Sequence, residues 1–228
     1  MTHTGTIALL QNNSLTTLVQ AEIEKLILSG AIGGGEKLTE SSLAEQLGVS
    51  RGPVREAFRM LEEAGLVRTE KNRGVFVRTI SLQEVQEIFE LRALLEQHVG
   101  SKAAQQAKAA DVRALKVMLR QMDQAAKTAD AAAFHESNLA FHDRLFAVAG
   151  NSKLTAMYTR LVNELRLCRR LNLTPESMKI YAAEHREIVR CIAQADAQAA
   201  AQAMYQHVMG SKERTVANYA LHAASEAL

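Results

Sequence analysis

Four side chains in the second half of the chain have the types and spacing to hold a metal ion. Asn138 and His142 are four residues apart, so on a helix both project from one face. His185 and His207 each lie eleven residues from Asp196. If two antiparallel helices meet at Ala195-Asp196, residues equidistant from that turn stand at the same height. Three imidazoles and one amide oxygen inside a helical bundle suit a divalent transition metal, zinc or nickel. The plain alternative for each histidine is a hydrogen-bonded core or surface residue. Two other chemistries stay open: a small metal-dependent helical hydrolase, or a sensor whose signal is the metal itself. The hydrolase lacks a His-Glu-x-x-His pair and a fixed general base. Glu184 and Glu187 neighbour His185 in sequence, but their offsets predict that they point elsewhere on the helix.

A second set of residues could grip an anion. Ser50, Arg51, Gly52 and Arg55 open an amphipathic segment whose opposite flank is Val54, Ala57, Phe58 and Leu61. Free N–H groups at a helix start favour negative charge, Gly52 lets a backbone come close, and each guanidinium is a fork for phosphate or guanine. From Arg51 to Arg78 there are seven basic residues against four Glu, while residues 1–80 balance nine Lys/Arg with nine Glu. The basic character is a local stripe, and either arginine alone would be ordinary surface decoration.

The elements that position these residues follow from period and punctuation. Apolar residues from Leu15 to Leu28 recur at helical spacing and stop at Ser29-Gly30, before the corner Gly33-Gly34-Gly35. Thr39 is placed to cap a short helix over 40–47, Gly48-Val49 turns the chain, and Ser50 is placed to cap the next helix, with Pro53 in its first turn. Gly65 closes that helix as a left-handed C-cap with Leu66 beyond it. Leu66–Thr69 and Val75–Arg78 flank an Asn/Gly turn and predict a hairpin, with Arg73-Gly74 at its tip. A helix, a Gly turn, a second helix and a hairpin make a winged helix-turn-helix that reads a DNA groove. Ser81 and Glu84 form a capping-box pattern, so the boundary falls near Thr79: residues 1–79 are expected to bind DNA, and 80–228 to form an all-α antiparallel bundle. Its helices are expected at 82–107, 110–128, 131–148, 152–171, 176–194 and 197–222. The fold class is mainly α.

Composition supports that reading. The 228 residues are 47% hydrophobic but only 4% aromatic, with no Trp, so the cores must be built from close-packed aliphatics and Ala. Net charge is +2, and Cys168 and Cys191 are too few for a metal clip and are expected to be buried thiols. No signal-peptide pattern and no apolar run of membrane-spanning length is present, so a soluble cytoplasmic protein without a membrane partner is expected.

At this point the chain resembles a known family. The run from Leu38 through Ala57, continued by Leu61–Val67 and Arg73–Val77, resembles the GntR family of bacterial regulators, although that family usually has Pro-Gly where this chain has Gly34-Gly35. Asn138–Leu145, Ala149–Asn151, Glu184–Ile188 and His207 resemble the FCD-type ligand-binding domain of its FadR subfamily. The resemblance implies a homodimer on a palindromic double-stranded operator, with affinity changed by a small effector. It also implies Asn138, His142, His185 and His207 as metal ligands, Asn standing where Asp is commoner and carrying one negative charge less. Glu90–Glu96 resembles the start of the same domain, whose Arg, here Arg92, often points into the pocket. An inward Arg92 would need an anion, and a small organic acid bridging metal and guanidinium would supply it; the alternative is a surface pair with Glu96 at i,i+4. Tyr158 and Arg166 are weaker pocket candidates.

Overall fold

The computed structural model describes residues 3–168 and 173–225. Its elements run α1 (His3–Ser29), β1 (Lys37–Leu38), α2 (Glu40–Leu47), α3 (Arg51–Glu63), β2 (Val67–Glu70), β3 (Gly74–Val77), α4 (Leu82–Gln106), α5 (Ala109–Lys127), α6 (Ala131–Ala149), α7 (Ser152–Arg166), α8 (Pro175–Ala193) and α9 (Ala197–Ser225). The end of the helix expected over 152–171 falls partly on residues outside those described. The chain divides into two compact units. One is the chain up to Ser81 with a segment starting at Thr159; the other is Leu82–Tyr158 with α8 and α9.

In the first unit, α1, α2 and α3 bury their apolar stripes together: Val19, Ile23 and Ile27, Leu43 and Ala44, then Val54, Ala57, Phe58 and Leu61. The hairpin strands pair antiparallel, Val67 opposite Val77 and Glu70 opposite Gly74. A third strand, β1, adds on the other side of β3, with Lys37 opposite Phe76. Two residues carry no alternation to read, which is why sequence pattern missed it. Gly65 adopts φ +78°, as a left-handed C-cap requires, and Leu66 is fully buried just beyond it. Thr39 and Ser50 stand at their N-caps with extended backbone, but neither side chain makes a capping hydrogen bond. The Glu62 carboxylate takes both the backbone N–H (2.7 Å) and the hydroxyl (2.9 Å) of Thr69, tying α3 to β2. The segment after Thr159 joins this unit through Glu164, which pairs with Arg78 at 3.1 Å, and Arg166, which pairs with Glu24 at 2.7 Å.

The second unit is a bundle of antiparallel helices. α4 and α9 approach so closely that a Cβ on Gly100 would stand 2.7 Å from the Ala200 carbonyl oxygen. Only a residue without a side chain permits that contact. Phe134, Phe141, Leu145 and Phe146 of α6 and Met178, Ile188 and Ile192 of α8 fill the centre. Thr174 caps α8 by accepting from the Ser177 N–H at 3.1 Å, with Pro175 in the first position, and α8 turns into α9 around Ala195, whose φ is +54°. Both cysteines are free and buried.

Candidate functional site

At the start of α3, Ser50, Arg51, Gly52 and Arg55 are all exposed, and a Cβ on Gly52 would meet open space. The apolar flank lies on the opposite side, buried as its period requires. Arg55 is not a loose side chain. Its Nε donates to Glu40 Oε1 at 2.8 Å and its Nη2 to Oε2 at 2.7 Å, a fork closed by the first residue of α2. The hydrogen bond and charge of Arg55 hold the Glu40 carboxyl below its usual range. At the hairpin, Arg73 pairs with Glu70, which also takes Arg68 at 2.9 Å. Asn72 turns with φ +63°, and Gly74, at φ +114°, sits where a Cβ would come 3.0 Å from Lys37 Cε. Glu40, Glu70 and Lys37 were not singled out by the sequence; nothing in their local pattern distinguishes them from other surface charges.

The second site lies in the bundle. His142 of α6, His185 of α8 and His207 of α9 are buried together, with one ring nitrogen of each within 4.8 Å of the others. Ring centroids are 5.5 Å apart for His142 and His185, 5.3 Å for His142 and His207, and 4.4 Å for His185 and His207. His185 and His207, equidistant from Asp196, therefore stand side by side as a helical hairpin requires. Asn138, one turn before His142, is half-buried, and among the described residues its side chain makes no hydrogen bond.

Each imidazole is oriented through Nδ1. The Tyr181 carbonyl oxygen lies 2.6 Å from Nδ1 of His185 and can only accept, so that nitrogen carries the proton. Glu184 Oε2 is 2.8 Å from Nδ1 of His207. Glu96 Oε2 is 2.8 Å from Nδ1 of His142, although the N–H does not aim at it squarely, leaving both atoms buried without a well-aligned hydrogen bond. The Tyr181 carbonyl and the Glu184 carboxylate place the proton of His185 and His207 on Nδ1, and the Glu96 carboxylate faces Nδ1 of His142, so the Nε2 side of each ring is left for a metal. His142 Nε2 and His185 Nε2 stand 3.4 Å apart. Two nitrogens each about 2.0–2.1 Å from a tetrahedral zinc ion would stand roughly 3.3–3.4 Å apart, so the donor set fits such a metal. Burial, then the neighbouring imidazoles His207 and His142, push His185 well below the usual histidine range. Burial also lowers His207, only partly offset by Glu184. Neutral imidazoles are the form that binds metal.

Around this cluster the charges are matched. Arg92 is only partly exposed, and it donates through Nε (2.9 Å) and Nη2 (2.7 Å) to Glu96 Oε1. Burial and pairing therefore coexist, and the anion that an inward Arg92 needs is supplied by the chain itself. Burial opposes the Glu96 charge, yet Arg92, then His142 and His207, outweigh it and hold the carboxyl at about 2. Glu184 turns toward His207 and is clamped by both terminal nitrogens of Arg214 at 2.9 Å, so the expectation that it points elsewhere is corrected. Arg214 in turn lies 4.2 Å from the Tyr181 ring centroid. Tyr158 is buried against Phe146 (4.1 Å between centroids) and beside His142. Arg166 is not a pocket residue: two turns beyond Tyr158, it is engaged with Glu24 in the first unit.

Comparison with known proteins decides the family. Residues 15–77 match the family described as bacterial regulatory proteins, gntR family, and residues 87–210 match the FCD domain. The chain belongs to the GntR family. Its second half is an FCD domain, and the mainly helical fold with a winged helix-turn-helix agrees. An uncharacterised HTH-type transcriptional regulator of Bacillus subtilis, YdhC, is 28% identical over 196 residues, 82% of this chain and 84% of that protein. The Nta operon transcriptional regulator of Aminobacter aminovorans is 30% identical over 159 residues, 70% and 74% of the two chains. The solved structure of the E. coli protein McbR/YncC has the same fold, with a TM-score of 0.76 at 20% identity over 90% of this chain and 98% of that one. This GntR-family chain is thus a DNA-binding transcriptional regulator and not an enzyme, which removes the hydrolase reading. Among the described residues, no helix is long and apolar enough to cross a membrane.

Proposed function

We propose that this regulator binds a palindromic operator as a homodimer, and that a metal-containing pocket in the FCD domain adjusts its affinity for DNA. The observation that carries the pocket is three buried imidazoles brought together with an oxygen beside each Nδ1, which leaves the Nε2 side of each ring for a metal. His142, His185 and His207 would hold zinc or nickel, with the Asn138 oxygen as fourth donor and open positions for a ligand. A bound ion would supply a Lewis-acidic centre for an oxygen ligand. Ser50, Arg51, Gly52 and Arg55 would enter the major groove, and Arg73-Gly74 would touch the adjacent backbone. Exposed Leu91 and Leu94 of α4, at 52% and 60%, support a second copy covering that face. The protein would work in the cytoplasm, where its operator is.

Two effectors fit the pocket. One is a small organic acid whose carboxylate reaches the metal and Arg92. The other is the metal alone, and the internal pairing of Arg92 with Glu96 favours it, because no inward cation is left waiting for an anion. Either would act by favouring a dimer geometry in which the two recognition helices fit or miss the operator spacing. Elemental analysis of purified protein should find about one transition-metal ion per chain, and chelation should change operator affinity in a gel-shift titration at fixed salt. Protein that takes up no zinc or nickel on soaking would sink the pocket reading while leaving the DNA-binding assignment standing.

A further inference from the structure

We propose that Arg92 and Glu96 govern the metal affinity of the histidine cluster in opposite directions, Glu96 strengthening it and Arg92 restraining it. This inference rests on the metal reading above and adds a regulatory role for a pair that otherwise passes for structural support.

The geometry divides one carboxylate between two claimants. Glu96 is fully buried; Oε1 receives both Arg92 donors, and Oε2 lies 2.8 Å from His142 Nδ1. The contact to His142 is the poorly aligned one, and both its atoms lack a good partner. In the protein without metal, Arg92 has the better hold. A cation on Nε2 would draw electron density from the imidazole and make Nδ1–H a stronger donor, so metal binding pulls Glu96 toward His142. Metal and guanidinium are then two positive charges competing for one buried anion.

Charge counting gives the same result. Arg92 and Glu96 cancel, and so do Glu184 and Arg214. A divalent ion therefore brings positive charge for which neither pair has a spare carboxylate. Removing the Arg92 charge leaves Glu96 wholly available to the metal-bound imidazole, and removing the Glu96 charge leaves Arg92 and the metal unscreened. An external carboxylate that engages Arg92 would act like the first change, loosening its hold on Glu96, so anion and metal should reinforce each other. A pair that only supports packing would show no inversion: breaking it from either side would loosen the pocket and weaken the metal.

The test is zinc affinity measured by competition with a chromophoric chelator, on full-length wild type, E96Q, R92M, E96D and R92K, with helicity checked by circular dichroism. E96Q should bind zinc about 10- to 100-fold more weakly. R92M should bind it several-fold more tightly than wild type, even if its metal-free form melts earlier. R92K and E96D, which keep the charges, should fall between wild type and the corresponding neutral variant. Succinate should tighten zinc binding to wild type and leave R92M unchanged. Weaker zinc binding in both R92M and E96Q, with wild type binding normally, would overturn the inference and leave the metal site intact. No zinc binding by wild type would overturn the metal reading and this inference with it.

Discussion

Each half of the molecule carries an arginine forked onto a glutamate, and the two pairs serve different ends because one is wet and the other dry. Arg55 and Glu40 meet at 2.7–2.8 Å with the arginine side chain 58% exposed, whereas Arg92 and Glu96 meet at similar distances with exposures of 12% and 0%. Water screens the first pair, so its value is orientation: Glu40 occupies the Nε side of the guanidinium and fixes the direction of the remaining donors. In the second pair the carboxylate has lost its water and the guanidinium most of it. Neither partner can be removed without stranding the other, and the free oxygen of Glu96 transmits the consequence to a histidine. Similar bond lengths would therefore mark an aiming device on the proposed DNA face and an electrostatic control in the proposed pocket.

The largest effect should come from breaking the dry pair. R92M leaves a buried carboxylate without its main partner and should cost the metal-free protein roughly 3–5 kcal/mol, read from urea unfolding. The double replacement R92M/E96L should recover most of that loss, since two apolar groups strand no charge. A double variant as unstable as R92M would mean that the site depends on shape and not on charge matching. A smaller effect follows from acidity. In an unfolded chain histidine takes up a proton near pH 6.5, whereas buried His185 and His207 resist protonation. Between the two values the unfolded state binds more protons. Metal-free stability should thus be complete above about pH 6.5 and decline as the pH falls toward the depressed folded values. Glu96, held at about 2 in the folded chain against 4.5 for a free glutamate, adds a further loss as the pH falls from 4.5 toward 2. Denaturant midpoints that stay flat from pH 7.5 to 5 would show that the histidines are not buried as neutral groups.

How far the sequence foresaw this contrast depends on whether a residue's role is local. The helices, the winged hairpin and the cap at Gly65 were legible because period and turn residues act over a few positions. His185 and His207 were legible because a hairpin converts equal distance from a turn into equal height. The partners of those residues were not. Glu40 is fifteen residues from Arg55, and Glu184 is twenty-three from His207, and both would pass for surface acids. Glu96 was read as a surface alternative to an inward Arg92, because an i,i+4 pair on a helix is normally solvated. Here α4 packs against α6, α8 and α9, and α6 sets His142 against Glu96, which turns a helix-surface motif into a core one. Arg166 failed for the opposite reason: α7 begins beside the pocket, but its later turns belong to the first unit.

The DNA face supplies the last two measurements. Arg51→Ala should weaken operator binding by at least about 1 kcal/mol without changing the melting temperature, and unchanged affinity at fixed salt would remove Arg51 from the reading surface. Glu40→Gln should do less and something different. With the pair exposed, stability should not change measurably, and non-specific affinity should rise slightly because one negative charge has left a surface that faces phosphates. Discrimination between operator and scrambled duplex should fall, because Arg55 would now reach phosphates as readily as a base edge. Specificity that survives the substitution would show that Arg55 is aimed by the duplex and not by Glu40, and the wet pair would then be ordinary surface decoration.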